Sequence, residues 1–376
     1  MKKPIKVMSV FGTRPEATKM MPLIIALREA DGIDSKICVT AQHRHLLDQV
    51  LELFHIVPDY DLDLMSHGQT LSDITCRVLT GIAPILEEEK PDILLVHGDT
   101  TTTFAASLAA FYQRIAVGHV EAGLRSYDKY QPYPEEINRK LTTQVTDLFF
   151  APTTLSRDNL LKENIPAEKI FVTGNTAIDM IKYTVKPDYQ YQNPALNAID
   201  FSKRVILMTA HRRENWGQPM QNIISAAKRI VQDNPDVFLV WPVHPGQAVK
   251  PFAYEALGGM DRVLLTEPVD VFDMHNLMSR AHLILSDSGG LQEEAPSFDI
   301  PVVVLRSVTE RPEGLDAGTL LLAGTEEDII YAETTRLLTD KAAYQKMAQA
   351  QNPYGDGKAS ARIVDAIKNN LATIEV

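Results

Sequence analysis

Three carboxylates occupy positions suited to proton transfer, either just after a predicted strand or at the start of a predicted helix. They are Asp99, Glu121 and Glu135. Carboxylates crowded together raise one another's pKa, which suits acid–base catalysis near neutral pH. Singly, two of them have an equally good structural interpretation: Asp99 can cap the threonine-rich helix that follows it, and Glu135 can favour a helix start. Together, the three favour a catalytic centre.

Anion binding is indicated by the turn after the first predicted strand. Gly12 permits a tight turn, and Arg14 and Lys19 bracket the start of the next helix, whose free N–H groups can meet an anion. The turn matches neither the three-glycine dinucleotide fingerprint nor the P-loop, which argues against NAD or ATP. The residues alone leave open both phosphate binding and an ordinary turn with two exposed cations.

A second anion site is predicted where a later strand runs into Ser288, Gly289 and Gly290. Consecutive glycine N–H groups beside a serine hydroxyl can hold a diphosphate, and Glu294, about one turn further on, can accept both hydroxyls of a ribose. The structural alternative is a helix capped by Asp287 or Ser288. Two successive glycines at a helix start cost stability, so the functional interpretation is favoured.

Basic and imidazole groups follow three other predicted strands. They are His211 with Arg212, then His244, then Arg311. Such groups can neutralise a leaving diphosphate while carboxylates move protons. A His-Arg-Arg cluster alone is more typical of a solvated loop, so this argument depends on the acids being present too.

Short apolar runs alternate with amphipathic segments along the whole chain. The predicted strands of the first half are 6–11, 36–40, 93–97, 115–119 and 148–151, and its helices are 16–30, 45–54, 70–88, 101–112 and 136–146. The pattern restarts after Gly174, with strands 204–209, 237–242, 263–265, 283–286 and 301–305 and helices 220–233, 272–281, 291–298, 326–339 and 341–350. Segment 186–194 is predicted to be a loop or linker. Alternation of this kind predicts an α/β fold of two doubly wound, mostly parallel halves with a cleft between them.

Composition excludes several classes of protein. The 376 residues carry 37 basic and 49 acidic side chains, a net charge of −12, which argues against binding to nucleic acid or an anionic membrane. No apolar stretch approaches the roughly 18 residues of a membrane span. The two cysteines, Cys38 and Cys76, lack metal-ligand spacing and predict neither a disulfide framework nor a metal site. We therefore expect a soluble cytoplasmic protein.

Several strings occur in a fixed order along the chain and together carry a family resemblance. They are Phe11-Gly12-Thr13-Arg14-Pro15-Glu16, Thr40-Ala41-Gln42-His43-Arg44, 96–103, 118–125, 134–139, His211-Arg212-Arg213-Glu214, 286–296, 309–313 and Asn352-Pro353-Tyr354-Gly355-Asp356-Gly357. With these strings the chain resembles the non-hydrolysing UDP-N-acetylglucosamine 2-epimerases of bacteria over essentially its whole length.

The resemblance implies a GT-B type fold of two Rossmann-like domains, with the last helix returning to the first. The expected limits are 1–172 with 358–376 for the first domain and 173–357 for the UDP-binding one. It also implies interconversion of UDP-GlcNAc and UDP-ManNAc without NAD or an essential metal, by anti elimination of UDP to a bound 2-acetamidoglucal followed by re-addition. A homodimer is expected from the family.

Site residues can be carried over from the family position by position. The catalytic groups fall on Asp99, Glu121, Glu135 and His211. The UDP-sugar would be held by Arg14, Lys19, Arg139, Arg212, Met274, Ser288, Gly289, Gly290, Glu294 and Arg311. An activating second UDP-GlcNAc would meet Gln42, His43, Gln69 and His244. Met274 departs from the family pattern, since an aromatic residue is expected to stack on uracil there; methionine can still pack against the base.

Other functions compete with the epimerase. A GT-B glycosyltransferase using a UDP-sugar donor would share the fold but need an acceptor groove and not three clustered acids. A hydrolysing epimerase would release UDP and free ManNAc. A regulatory UDP-sugar-binding protein would leave the acids unexplained.

Overall fold

The computed structural model describes residues 3–40, 44–64 and 68–371. The chain divides into two compact units, an N-terminal unit of Met1–Met180 with Gly355–Val376 and a C-terminal unit of Ile181–Tyr354. Each unit contains one parallel β-sheet with flanking helices. No helix in the described part of the chain is both long and apolar enough to cross a membrane.

Buried apolar runs form most of the strands. Those of the N-terminal unit are β1 (Ile5–Phe11), β2 (Ile33–Val39), β3 (Tyr60–Asp61), β4 (Ile93–His97), β5 (Ala116–Val120), β6 (Leu148–Ala151) and β7 (Ile170–Val172). Those of the C-terminal unit are β8 (Arg204–Thr209), β9 (Val237–Pro242), β10 (Val263–Thr266), β11 (Leu283–Ser286), β12 (Val302–Val304) and β13 (Leu320–Leu322). Predicted strands 93–97, 148–151, 204–209, 237–242 and 283–286 match these bounds at both ends.

Helices connect the strands. In chain order they are α1 (Arg14–Glu29), α2 (Arg44–Leu53), α3 (Leu71–Glu89), α4 (Thr101–Tyr112), α5 (Glu135–Gln144), α6 (Thr154–Lys162), α7 (Thr176–Thr184), α8 (Gln218–Asp233), α9 (Lys250–Leu257), α10 (Val271–Met278), α11 (Gly289–Glu294), α12 (Pro312–Ala317), α13 (Glu327–Thr339), α14 (Lys341–Ala348) and α15 (Ala359–Asn370). Threonine side chains cap four of them, at Thr13, Thr70, Thr100 and Thr153.

The two sheets share a topology. Within the described residues the strand order is β3-β2-β1-β4-β5-β6-β7 in one and β10-β9-β8-β11-β12-β13 in the other, and every pair is parallel. The order reverses between β1 and β4 and again between β8 and β11. Open α/β sheets bind ligands beyond the carboxyl ends of the strands at such reversals. The topology therefore marks one candidate binding edge on each unit.

Alternating residues of one strand face opposite sides of the sheet and are covered on both. In β8, Ile206 and Met208 belong to one apolar cluster, while Val205 and Leu207 belong to the other. Burial on both faces explains why these strands read as continuous apolar runs in the sequence. The predicted two-domain α/β architecture is confirmed.

Some elements differ from the predictions. The helix predicted over 291–298 is α11 followed by a 3₁₀ turn, Ala295–Phe298, because Pro296 lacks the N–H that an α-helix would need there. The predicted loop 186–194 is a loop up to Asn193, and Pro194 begins a short 3₁₀ helix, Pro194–Ala198. The buried Asp273 carboxylate holds this loop by accepting from the N–H groups of Gln192 and Asn193, each at 2.8 Å.

The unit limits lie close to the predicted domain limits without coinciding with them. Met180, where the N-terminal unit's first segment ends, lies inside α7 rather than before it. Asp179 on α7 accepts hydrogen bonds from the backbone N–H groups of Ala359 at 3.0 Å and Ser360 at 2.7 Å. Because this carboxylate caps the first turn of α15, the start of α7 and the last helix both belong to the N-terminal unit.

Candidate active site

The carboxyl end of β1 leads into a turn built around a buried carboxylate. Glu16 accepts from the N–H groups of Gly12 at 3.2 Å and Thr13 at 2.8 Å, and Thr13 caps α1 in return. Burial raises the pKa of Glu16, against the effect of these hydrogen bonds. Arg14 opens α1 half-buried, immediately beyond this turn. The predicted anion site therefore has an ordered scaffold.

Lys19, predicted to hold UDP, contacts a predicted catalytic acid. Its Nζ donates to Oε1 of Glu121, and Asn175 Nδ2 donates to the same oxygen at 3.0 Å. The Glu121 side chain is 8% exposed and its backbone is left-handed, with φ +63°. A non-glycine residue is strained in that conformation. The carboxylate of Glu121 is thus fixed by a strained backbone, a cation and an amide.

Asp99, immediately beyond β4, is held by Arg139 from α5. Arg139 Nη2 donates to Asp99 Oδ2 at 2.5 Å, and Asn138 Nδ2 donates to the Asp99 carbonyl at 2.9 Å. The cap of α4 is Thr100, whose hydroxyl accepts from Thr103 N at 3.1 Å, so Asp99 is free of the capping role that the sequence left open. The carboxylate of Asp99 is partly exposed.

Glu135 is the first residue of α5, where its negative charge is favourable. Its Oε2 atom is buried and has no hydrogen-bond partner among the described residues. The neighbouring Glu136 is fully buried and structural, because it accepts from the N–H groups of Ser126 at 3.0 Å and Tyr127 at 3.1 Å. The two adjacent glutamates therefore differ. Glu136 holds the preceding loop, whereas one carboxylate oxygen of Glu135 is available to a partner outside the described residues.

Two buried histidines lie behind these acids. His119 Nε2 donates to the carbonyl oxygen of Gly98 at 2.7 Å, and His97 Nε2 lies 3.9 Å from Oε2 of Glu121. Burial lowers the pKa of each histidine to about 4. Both are therefore neutral at physiological pH. Neither histidine was predicted to be a site residue, although each stands two residues before a predicted acid.

In the C-terminal unit, Asp287 organises the segment that follows β8. Its buried Oδ2 accepts from the N–H groups of His211 and Arg212, each at 2.8 Å, and from Asn215 Nδ2 at 3.0 Å. His211 Nδ1 lies 3.4 Å from the other carboxylate oxygen. Burial lowers the pKa of His211, although Asp287 acts in the opposite direction. Asp287 is thus an anchor for His211 and Arg212, and no side chain caps α11.

Two guanidinium groups meet at the first glycine of α11. A Cβ on Gly289 would lie 3.5 Å from Nη2 of Arg311 and 3.6 Å from Nη2 of Arg212. Arg311 is oriented by Glu293, whose Oε1 accepts from its Nε. The residues predicted to bind the diphosphate therefore lie together at the end of β11. They are Arg212, Arg311, Ser288, Gly289 and Gly290.

Glu294, Met274 and His244 are the remaining residues of this unit that were predicted to contact a ligand. Glu294 Oε2 is 3.3 Å from His275 Nε2, and its Oε1 would lie 3.8 Å from a Cβ on Gly290. A cavity of about 180 Å³ is lined by Thr209, Ala210, His211, Pro242, His244, Pro268, Val269, Met274, Ser288 and Leu291. The rings of His211 and His244 stack at 5.8 Å. A mostly apolar cavity with a few polar groups in its lining has the character of a small-molecule site.

Of the four predicted activator residues, two lie outside the described residues and the other two lie in different units. Gln42 and His43 lie outside the described residues. Gln69 precedes α3 in the N-terminal unit, and His244 lines the cavity of the C-terminal unit. No group of three or more His, Cys, Asp or Glu residues suited to a metal ion occurs within 3–40, 44–64 and 68–371.

Comparisons with known proteins identify the family. The family model described as UDP-N-acetylglucosamine 2-epimerase matches residues 25–368. The UDP-N-acetylglucosamine 2-epimerase of Bacillus subtilis is 57% identical over 365 residues, covering 97% of this chain and 95% of that protein. The Neisseria meningitidis UDP-GlcNAc 2-epimerase solved with UDP-GlcNAc is 48% identical with a TM-score of 0.88, covering 97% and 100% of the two chains. The S. aureus MnaA structure with UDP is 50% identical, with a TM-score of 0.89 and 98% coverage of each chain. The chain therefore belongs to the UDP-N-acetylglucosamine 2-epimerase family of enzymes.

Proposed function

We propose that this enzyme interconverts UDP-GlcNAc and UDP-ManNAc without hydrolysis. A base removes the proton from C2 of the sugar while the bond from C1 to the UDP oxygen breaks, which gives UDP and a 2-acetamidoglucal with a C1–C2 double bond. Both stay bound. UDP then re-adds to C1 as C2 takes a proton on its opposite face.

The observation that carries the proposal is the grouping of Arg212 and Arg311 at Gly289. A hydrogen on C2 is weakly acidic, so its removal depends on the departure of a well-stabilised UDP. Two guanidinium groups supply that stabilisation with bidentate donors. We assign uracil to the adjacent cavity, against Met274, and the ribose hydroxyls to Glu294. Ser288 and Gly290 complete the diphosphate site.

The carboxylates supply the proton transfers. Inversion at C2 needs one group on each face of the sugar, and Asp99, Glu121 and Glu135 are the candidates. Glu135 has a buried oxygen with no partner among the residues that the structure describes, which suits a group that must meet substrate. Arg139 holds Asp99, and Lys19 pairs with Glu121. We assign Arg14, at the neighbouring turn, to the bound UDP-sugar.

His211 completes the assigned catalytic set. Its backbone N–H is fixed by Asp287, and because its pKa is lowered by burial, the neutral imidazole predominates at neutral pH. A neutral imidazole can donate from one ring nitrogen and accept at the other. We propose that it hydrogen-bonds the UDP-sugar during elimination.

One experiment separates the proposal from its alternatives. The purified enzyme is incubated with UDP-GlcNAc in D₂O and followed by proton NMR. We expect UDP-ManNAc carrying deuterium at C2, with most UDP still in nucleotide sugar. Free UDP and free ManNAc in equal amounts would indicate a hydrolysing epimerase. Absence of C2 exchange, with sugar transfer only when an acceptor is added, would indicate a glycosyltransferase.

We further propose that the enzyme acts in the cytoplasm as a homodimer and supplies ManNAc units for a cell-surface polysaccharide. The free thiols of Cys38 and Cys76 are compatible with a reducing compartment. Light scattering of the purified protein tests the dimer, and loss of ManNAc from the surface glycan of a deletion strain tests the pathway.

Activation of the enzyme by a second molecule of UDP-GlcNAc also stays a proposal. The residues assigned to that molecule are Gln42, His43, Gln69 and His244. Full-rate conversion of UDP-ManNAc without any UDP-GlcNAc would contradict it.

A further inference from the structure

Glu16 does more than cap its own helix. It is 3% exposed, and Oε2 accepts from Gly12 N, from Thr13 N and from the Thr13 hydroxyl, the last at 2.7 Å. These contacts form the capping box of α1 and account for one carboxylate oxygen. An exposed capping glutamate would leave the other oxygen in water, but here it is directed into the protein.

The second oxygen reaches a different turn. Oε1 accepts from the hydroxyl of Thr100 at 2.7 Å, and the Thr103 hydroxyl lies 3.3 Å away. Thr103 Oγ1 is closer, at 2.6 Å, to the carbonyl oxygen of His97, so its single hydrogen serves that carbonyl. Thr100 therefore makes the hydrogen bond that joins Glu16 to the turn between β4 and α4.

Both joined turns lead directly to assigned site residues. Thr13 precedes Arg14, and Thr100 follows Asp99. β1 and β4 are neighbours at the point where the strand order reverses. One buried carboxylate thus spans the two sides of the candidate binding edge of the N-terminal unit. Burying a carboxylate is costly unless hydrogen bonds compensate it, and Glu16 receives them from both turns.

We propose that Glu16 is a positioning residue that couples the turn carrying Arg14 to the turn carrying Asp99 and so holds Asp99 in place for proton transfer. The inference rests on the proposed epimerase function. Proton transfer depends steeply on the distance between the reacting groups, and a displacement of about 1 Å can cost roughly a hundredfold in rate. Loss of the coupling should therefore reduce kcat.

Two substitutions at Glu16 separate the coupling from the charge. Glu16→Gln keeps an oxygen for the N–H groups of Gly12 and Thr13, while its amide N–H₂ can donate to the Thr100 hydroxyl, which has lone pairs to accept. Glu16→Met has a similar length and can do neither. We expect kcat for UDP-GlcNAc to fall roughly tenfold to a hundredfold in Glu16→Met and less than about threefold in Glu16→Gln.

A pair at Thr100 tests the same coupling from its other end. Thr100→Ser keeps the hydroxyl, and Thr100→Val removes it at nearly constant volume. We expect Thr100→Val to lose kcat and Thr100→Ser to retain it. Because Thr100 also caps α4, the Tm of each variant is measured, and kcat is determined at least about 15 °C below the lowest Tm.

UDP binding separates positioning from general structural damage. The groups assigned to uracil, ribose and diphosphate lie in the C-terminal unit, whereas Arg14 in the N-terminal unit is assigned to the whole UDP-sugar. The dissociation constant of UDP itself, measured by calorimetry, should therefore stay within about twofold of wild type in all four variants. Equal kcat losses in Glu16→Gln and Glu16→Met, no loss in Glu16→Met, or a parallel loss of UDP binding would each overturn the inference. If wild-type enzyme itself fails to exchange the C2 proton in D₂O, the proposed function fails instead.

Discussion

Lys19 on α1 donates a hydrogen bond to the carboxylate of Glu121, which lies just beyond β5 in a left-handed backbone conformation. The sequence assigned the lysine to UDP and the glutamate to catalysis, whereas the fold pairs them within one unit. A cation beside a buried carboxylate favours its ionised form. The lysine can therefore act on the chemistry through Glu121.

Lys19→Met is expected to lower kcat by roughly tenfold to a thousandfold, because a buried carboxylate deprived of its cation favours the protonated state. The UDP dissociation constant should change by less than about threefold. Stopped assays with UDP-GlcNAc and calorimetry with UDP measure the two effects. Lys6→Met is the matched control, since it removes another lysine–glutamate pair, with Glu89, near the opposite end of β1. A large loss of UDP affinity with unchanged kcat would assign Lys19 to UDP binding instead.

The variants Asp99→Asn and Glu135→Gln remove the charge of two assigned proton-transfer groups at constant size. Each is expected to lower kcat by roughly a hundredfold to ten-thousandfold, while UDP binding remains within about twofold of wild type. Glu88→Gln, on an exposed part of α3, is the control. Deuterium uptake at C2 should fall with kcat. A variant that loses UDP binding to the same degree as turnover would make its carboxylate structural.

The sequence predicted the α/β architecture because buried strands are continuous apolar runs. β4 and β8 were predicted to the residue for this reason. In contrast, β3, β7 and β13 are only two or three residues long, and their formation depends on pairing with a strand already in place. A run that short has no periodicity to recognise.

The residue types of the site were predictable, but their partners were not. Glu16 was visible as an acid near a helix start, but its bond to Thr100 joins residues 84 positions apart in the chain. Asp287 was visible as a helix cap and instead holds the backbone of His211 and Arg212, in the segment that follows another strand, β8. Such contacts follow from which strands are neighbours, and strand order is a tertiary property.

His97 and His119 should make the stability of the fold depend on pH. Burial lowers the pKa of each to about 4 in the folded protein, against about 6.5 in an unfolded chain. Between pH 6.5 and pH 4 the unfolded state binds more protons, so stability is full above pH 6.5 and falls as pH drops. One such histidine accounts for a loss of about 2 kcal/mol at pH 5.

His119→Gln removes one of these titrating groups and keeps a side-chain N–H that can donate to the Gly98 carbonyl. Urea unfolding of wild type and variant at pH 7.5 and pH 5.0 measures the difference. We expect the variant to lose about 2 kcal/mol less than wild type between the two pH values. An equal loss in both proteins would show that His119 is not buried as a neutral imidazole.

Gly289→Ala should separate stability from substrate binding. The new Cβ meets no atom closer than 3.5 Å, and alanine is a better helix former than glycine by up to about 1 kcal/mol, so the Tm should stay constant or rise. The methyl group would stand between Arg212 and Arg311, in the space we assign to a phosphate group of UDP. We expect the UDP dissociation constant to rise at least about tenfold, because lost charge-assisted hydrogen bonds are worth about 1.5–3 kcal/mol each.

Gly259→Ala is the control, a glycine substitution in the same unit. There is open space around its Cβ, but its φ of +77° is strained for alanine. This variant should do the reverse, lowering the Tm and leaving UDP binding unchanged. Unchanged UDP affinity in Gly289→Ala would place the diphosphate elsewhere.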